Sequence, residues 1–180
     1  MSSISGSQVI AIEEHYLDAG VDEKLKGRVG GSAETRERLA DLGELRLKEM
    51  DAAGIDIQVL SHCPPGAQAF DADTAAVEAQ GVNDRLYEVV RSKSDRFAAF
   101  ASLPTRDPKA AADELERCVD KLGFKGAMVH GLTDGLFIDD KRFWPIFERA
   151  EALDVPIYVH PNRPHQAVID AYYGDYAEEF

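Results

Sequence analysis

Glu13 and His15 close the run Ile10-Ala11-Ile12-Glu13-Glu14-His15, and His160 closes Val155-Pro156-Ile157-Tyr158-Val159-His160 before Pro161. Both runs are apolar and strand-like, and each ends on a residue type that binds metals. Side chains alternate along a strand, so Glu13 and His15 point to the same side. If the two strands lie side by side and parallel, Glu13, His15 and His160 meet at their C-terminal ends. One carboxylate and two imidazoles suit a divalent transition metal, zinc or manganese. The competing reading of Glu13 and His15 is a buried pair in which the carboxylate orients the imidazole, and the pattern alone leaves both open. Glu14 points the other way and is expected to meet a helix terminus or a basic residue.

The elements that must carry these residues alternate strand and helix. Strands are expected over Val9–His15, Ile55–Ser61, Phe97–Leu103, Lys125–His130 and Val155–His160. Asp18 to Ser32 reads as a loop. Helical spacing runs from Leu39 to Ala53, stopped by Gly54, and again over Thr74–Lys93. Asp107-Pro108 opens a helix that Gly123 closes, because Asp accepts from free amides and Pro loses nothing at the first helical position. Another helix spans Asp140–Leu153, with Trp144 expected in helix packing. The tail from Gln166 reads as helical. Strand–helix alternation implies βαβ units and a parallel sheet covered on both faces. No dinucleotide or phosphate-loop glycine motif follows the first strand.

Chemistry therefore gathers at strand C-termini, the end where a (β/α)8 barrel keeps its active site. His62 and His130 also end strands, and His165 lies just past one. His62, Cys63 and His130 share that end but sit on other strands. They are expected to line a substrate pocket without binding metal; the alternative is that the histidines anchor loops and Cys63 is an inert thiol.

Of the 180 residues, 44% are hydrophobic and 29% charged, as in an ordinary globular domain with a real core. The net charge of −13 argues against nucleic acid and anionic membrane partners. Apolar runs are too short to span a bilayer. Residues 1–8 read as a flexible lead-in without signal-peptide character, and residues 9–180 as one domain. Two cysteines far apart, Cys63 and Cys118, make no disulfide framework, so a cytoplasmic location is expected, with Cys118 a small buried hydrophobe.

Several stretches resemble the amidohydrolase-related decarboxylases, which act on γ-resorcylate, 2,3-dihydroxybenzoate, 5-carboxyvanillate and aminocarboxymuconate semialdehyde. They are Ala11–Tyr16, Arg46–Ile55, Val82-Asn83-Asp84, Asp95–Pro104, Gly123–Val129, Phe143-Trp144-Pro145 and Pro156–Pro161. The resemblance implies that Glu13, His15 and His160 bind a divalent metal, and that the substrate is a small aromatic or unsaturated carboxylic acid losing carbon dioxide. A metal-dependent hydrolase of the same superfamily is the alternative. His130 stands where that family commonly has an Asn facing substrate. The family's later His and its metal-binding, proton-transferring Asp would lie beyond Phe180. Five strands of an expected eight make the chain the first five βα units of a TIM barrel, incomplete as given. It is expected to be inactive alone and homo-oligomeric, or else a non-catalytic half-barrel that assembles with a partner.

Overall fold

The computed structural model describes residues 7–25 and 31–174. Most of the expected lead-in, Gly27 and Gly30 of the expected loop, and the last residues of the tail lie outside the described residues. Among the described residues six strands form in chain order: β1 (Ile10–Tyr16), β2 (Ile57–His62), β3 (Phe97–Ala99), β4 (Ala101–Ser102), β5 (Ala127–His130) and β6 (Ile157–His160). Every pairing is parallel and every neighbour sequential, β1-β2-β3 and β4-β5-β6. β3 and β4 are one run interrupted at Phe100. Its first half pairs with β2 and its second with β5, so five parallel runs form a single arc.

Helices connect them: α1 (Ala19–Leu25), α2 (Ala33–Ala40), α3 (Glu44–Ala53), α4 (Ala72–Ser92), α5 (Pro108–Leu122), α6 (Trp144–Ala152) and α7 (Gln166–Tyr173). Asp107 caps α5 through the Lys109 and Ala110 amides, and Gly123 ends it in the left-handed conformation. The expected loop after Asp18 instead begins with α1. Asp18 Oδ1 accepts from the Val21 amide, and Val21 and Leu25 are buried, so a cap and two core contacts outweigh the glycine content. The single helix expected up to Ala53 is two. Asp41 accepts from the Gly43 and Arg46 amides, turning the chain before α3. Trp144 is a further correction: it is half-exposed, with Lys141 over its ring, and its indole donates to the Asp139 carbonyl.

The arc has two apolar layers. On its helix side, Leu60, Ala127 and Val129 pack with Val82 and Leu86 of α4, Leu115 and Cys118 of α5, and Ile146 of α6. On its inner side, Val59, Phe100 and Met128 form a smaller cluster with Ala98 and Tyr158 packed against it. Ile157 joins the helix-side core, and alternation hands the inner position to Tyr158.

β1 carries a bulge. Ile10 pairs with Ile57 and Ala11 with Gln58, but Glu14 pairs with Leu60 and His15 with Ser61. Between Ala11 and Glu14 the first strand therefore uses one residue more than the second. Ala11 and Glu14 share the helix side with Gln58 and Leu60, while Ile10 and His15 share the inner side. Ile12 and Glu13 occupy the bulge. Ile10 and Ile12 are each 51% exposed.

The approach of β5 to β6 depends on Gly126. Its φ is +140°, and a Cβ there would sit 2.2 Å from the Pro156 carbonyl oxygen, which accepts from the Ala127 amide. Gly126→Ala combines backbone strain with a clash against main chain that cannot yield. It is expected to cost about 3 kcal/mol in urea unfolding. A loss within experimental error of zero would show that β5 and β6 can part without penalty.

Candidate metal centre

The two strands expected side by side are instead the two ends of the arc: β1 and β6 do not pair, yet their side chains touch because the sheet curls. His15 Nε2 lies 3.1 Å from His160 Nε2, and the rings meet edge to face with centroids 4.7 Å apart. This contact requires the sheet to curl so that its outermost strands face each other across the inner side. Glu13 Oε1 is 3.3 Å from His160 Nε2. One ligand atom from each of Glu13, His15 and His160 falls within 4.8 Å of the others.

The far side of each ring is engaged. His160 Nδ1–H donates to the Pro161 carbonyl at 2.5 Å, which in the neutral ring leaves the lone pair on Nε2. His15 Nδ1 is 3.2 Å from Ser61 Oγ, again leaving Nε2 turned to the group. Two imidazole Nε2 atoms and a carboxylate oxygen crowded together repel unless a proton or a cation lies between them. The donor set and its outer partners therefore fit a divalent ion. Protonation favours ligation as well. The Tyr158 hydroxyl donates to Glu13 Oε2 and is the main reason the Glu13 carboxyl is held below its ordinary range. Burial, and then His160, push His15 toward its neutral form.

His130 is opposite His160 in the register, 95% buried, with its ring 5.3 Å from that of His160 and 6.2 Å from that of His15. Its Nε2–H donates to the His62 carbonyl at 3.0 Å, and its buried Nδ1 has no hydrogen-bond partner among the described residues. Gln68 grips the same residue's main chain. It accepts from the His130 amide at 2.6 Å and donates to the His130 carbonyl and to Thr133 Oγ1. Burial, reinforced by His160 and His15, pushes the imidazole down to about 3. His130 thus borders the three-residue group without joining it.

The other two expected pocket residues are not brought to the group. His62 is buried with both ring nitrogens taken: Nε2 accepts from the Asp18 amide and Nδ1–H donates to the Cys63 carbonyl. It anchors the loop between β1 and α1. Cys63 packs with Leu17 and Leu39, and burial raises its thiol to about 11, which leaves no thiolate for chemistry. Glu14, on the helix side, is raised by burial and opposed by the Arg46 charge, in keeping with its expected basic neighbour.

Sequence reading missed Tyr158, Ser61, Gln68 and Arg46. Tyr158 was within reach, since a residue two before His160 on a strand must share its face. Arg46 was not. This buried guanidinium donates to the carbonyls of His15 and Asp41 and to Gln58 Oε1, tying the end of β1 to the α2–α3 corner. Only the folded backbone brings those acceptors together.

Residues 15–180 match a protein-family model described as amidohydrolase. The chain is 41% identical over 167 residues to γ-resorcylate decarboxylase of Polaromonas sp. (strain JS666), an alignment covering 86% of this chain and 50% of that protein. A crystal structure of a dihydroxybenzoic acid decarboxylase from Polaromonas sp. JS666, with bound manganese and the inhibitor 2-nitroresorcinol, superposes with a TM-score of 0.84 at 38% identity. That match covers 94% of this chain and 54% of the other. A 2,6-dihydroxybenzoate decarboxylase complexed with 2,6-dihydroxybenzoate also superposes with a TM-score of 0.84, at 39% identity, covering 94% and 56%. The chain spans about half the length of the relatives it matches.

Proposed function

The chain belongs to the amidohydrolase family, and from that premise we propose that its protein is a metal-dependent carboxy-lyase acting on a small hydroxylated aromatic acid. The curled parallel arc is the first part of that family's (β/α)8 barrel. Glu13, His15 and His160 hold a divalent ion, manganese or zinc. Such an ion supplies positive charge beside the substrate carboxylate and a neighbouring hydroxyl, where charge develops as the carbon–carbon bond breaks. Ser61 and the Pro161 carbonyl orient the two imidazoles, and Tyr158 orients the carboxylate. Phe100 and Met128 give the inner face an apolar floor against which an aromatic ring can lie away from water. His130 borders the substrate and does not bind the ion. The proton for the ring carbon is assigned to the Asp that the family likeness puts after an eighth strand. A cytoplasmic homo-oligomer completes the reading; no helix among the described residues is long and apolar enough to cross a membrane.

The observation that carries this reading is the convergence of Glu13, His15 and His160 from opposite ends of the arc. The test is carbon dioxide release from 2,6-dihydroxybenzoate with added manganese or zinc, in wild type and His130→Phe, each in the full barrel context. The variant is expected to lose about tenfold in kcat/KM with metal content unchanged. Loss of the metal instead would make His130 a ligand. Metal-dependent hydrolysis of esters or amides with no carbon dioxide from any hydroxybenzoate would favour a hydrolase of the same superfamily.

A further inference from the structure

We infer that Tyr158 is a positioning residue for the metal centre, and that its hydroxyl restricts Glu13 to a single ligating oxygen. The inference rests on the reading that Glu13, His15 and His160 hold a divalent ion. Tyr158 lies two residues before His160 on β6, so both side chains emerge on the inner face. Its hydroxyl donates to Glu13 Oε2, while Oε1 is the oxygen 3.3 Å from His160 Nε2. The two oxygens of the carboxylate are thus divided, one to the phenol and one to the candidate ion.

Main-chain geometry leaves this task to a side chain. Glu13 sits in the β1 bulge without a register partner on β2, whereas His15 is paired with Ser61 and His160 with His130. The ladder fixes the two imidazoles but not the carboxylate. The Tyr158 ring is itself held by Phe100, with centroids 6.2 Å apart and planes 31° from parallel. A carboxylate free to turn can offer both oxygens to one cation and occupy two positions around it. With Oε2 engaged by the phenol it occupies one, and the position it gives up is available to a substrate oxygen.

The test compares the full wild-type chain with Tyr158→Phe and Phe100→Leu. Manganese affinity is measured by electron paramagnetic resonance titration. Coordination is read from the visible absorption of the cobalt-loaded protein. Tyr158→Phe removes only the hydroxyl and is expected to weaken manganese binding about 10–100-fold, the usual loss when an outer partner of a ligand is deleted. Its cobalt bands should lose intensity as a second carboxylate oxygen joins the ion. Phe100→Leu, which loosens the ring but keeps the donor, should retain the wild-type cobalt spectrum. Wild-type affinity together with a wild-type cobalt spectrum in Tyr158→Phe overturns the inference while leaving the metal site standing. The same spectral change in both variants also overturns it, because packing would then be the cause. Failure of the wild type to bind manganese or cobalt removes the metal reading itself, and this inference with it.

Discussion

In the full barrel context, alanine at Glu13, His15 or His160 is expected to lower manganese affinity by more than about a hundredfold and to abolish carbon dioxide release. The loss should exceed that of an outer-partner deletion, about 10–100-fold, because a bond to the ion itself disappears. The three contributions are coupled. The candidate ligands come from the two ends of a curled sheet, Glu13 and His15 on one and His160 on the other, so removing any one leaves an incomplete donor set. Double variants should therefore be little worse than single ones. Glu14→Gln is the matched control, being next to Glu13 on the same strand but on the helix side, paired with Leu60. It should keep its metal. Full metal occupancy in all three alanine variants would put the site elsewhere in the protein.

Acid should destabilise the metal-free fold well before the carboxylates are fully protonated. His130, His62 and His15 are all pushed below the ordinary imidazole value, in each case chiefly by burial. A base whose folded pKa is depressed binds its proton more readily when the chain unfolds. Its contribution to stability is complete above the unfolded value and drains away as pH falls toward the folded one. For His130 that window runs from 6.5 down to about 3. From this residue alone the loss between pH 7 and pH 4 is on the order of 3 kcal/mol, a large share of a typical domain's stability. Urea unfolding with a chelator present, repeated across that range, measures it. His130→Phe should flatten the slope while lowering the plateau near pH 7. A wild-type stability that stays level from pH 7 to pH 4, or an unchanged slope in the variant, would mean that His130 is less buried in solution than in this structure.

The three candidate ligands were legible because strand alternation and strand ends are properties of short segments. Glu13-Glu14-His15 and Tyr158-Val159-His160 each state their own geometry. The helix α1 was hidden because its start depends on one aspartate cap and two buried apolar residues among glycines. The bulge was invisible for a different reason. A strand pattern shows which residues alternate, not where its neighbour counts one fewer. That also explains why an inward Ile10 and an inward His15, of opposite parity in a regular strand, are both observed. His62 and Cys63 stand at a strand end like the candidate ligands, yet turn into the loop. The hydrogen bonds that turn them run to Asp18 and to the Cys63 carbonyl, acceptors and donors that no spacing rule supplies.

The same bulge makes the centre unequally stiff. His15 and His160 are mounted on paired backbone, so moving either means breaking register with Ser61 or His130. Glu13 hangs from residues that the ladder skips, and is held by the Tyr158 hydroxyl rather than by strand pairing. If Glu13, His15 and His160 hold an ion, one of larger radius is expected to be accommodated mainly along the carboxylate direction, with both imidazoles left in place. Such a centre would act as a fixed two-point seat with one adjustable arm. Exchange between ions of similar charge but different size should register mainly as motion of Glu13.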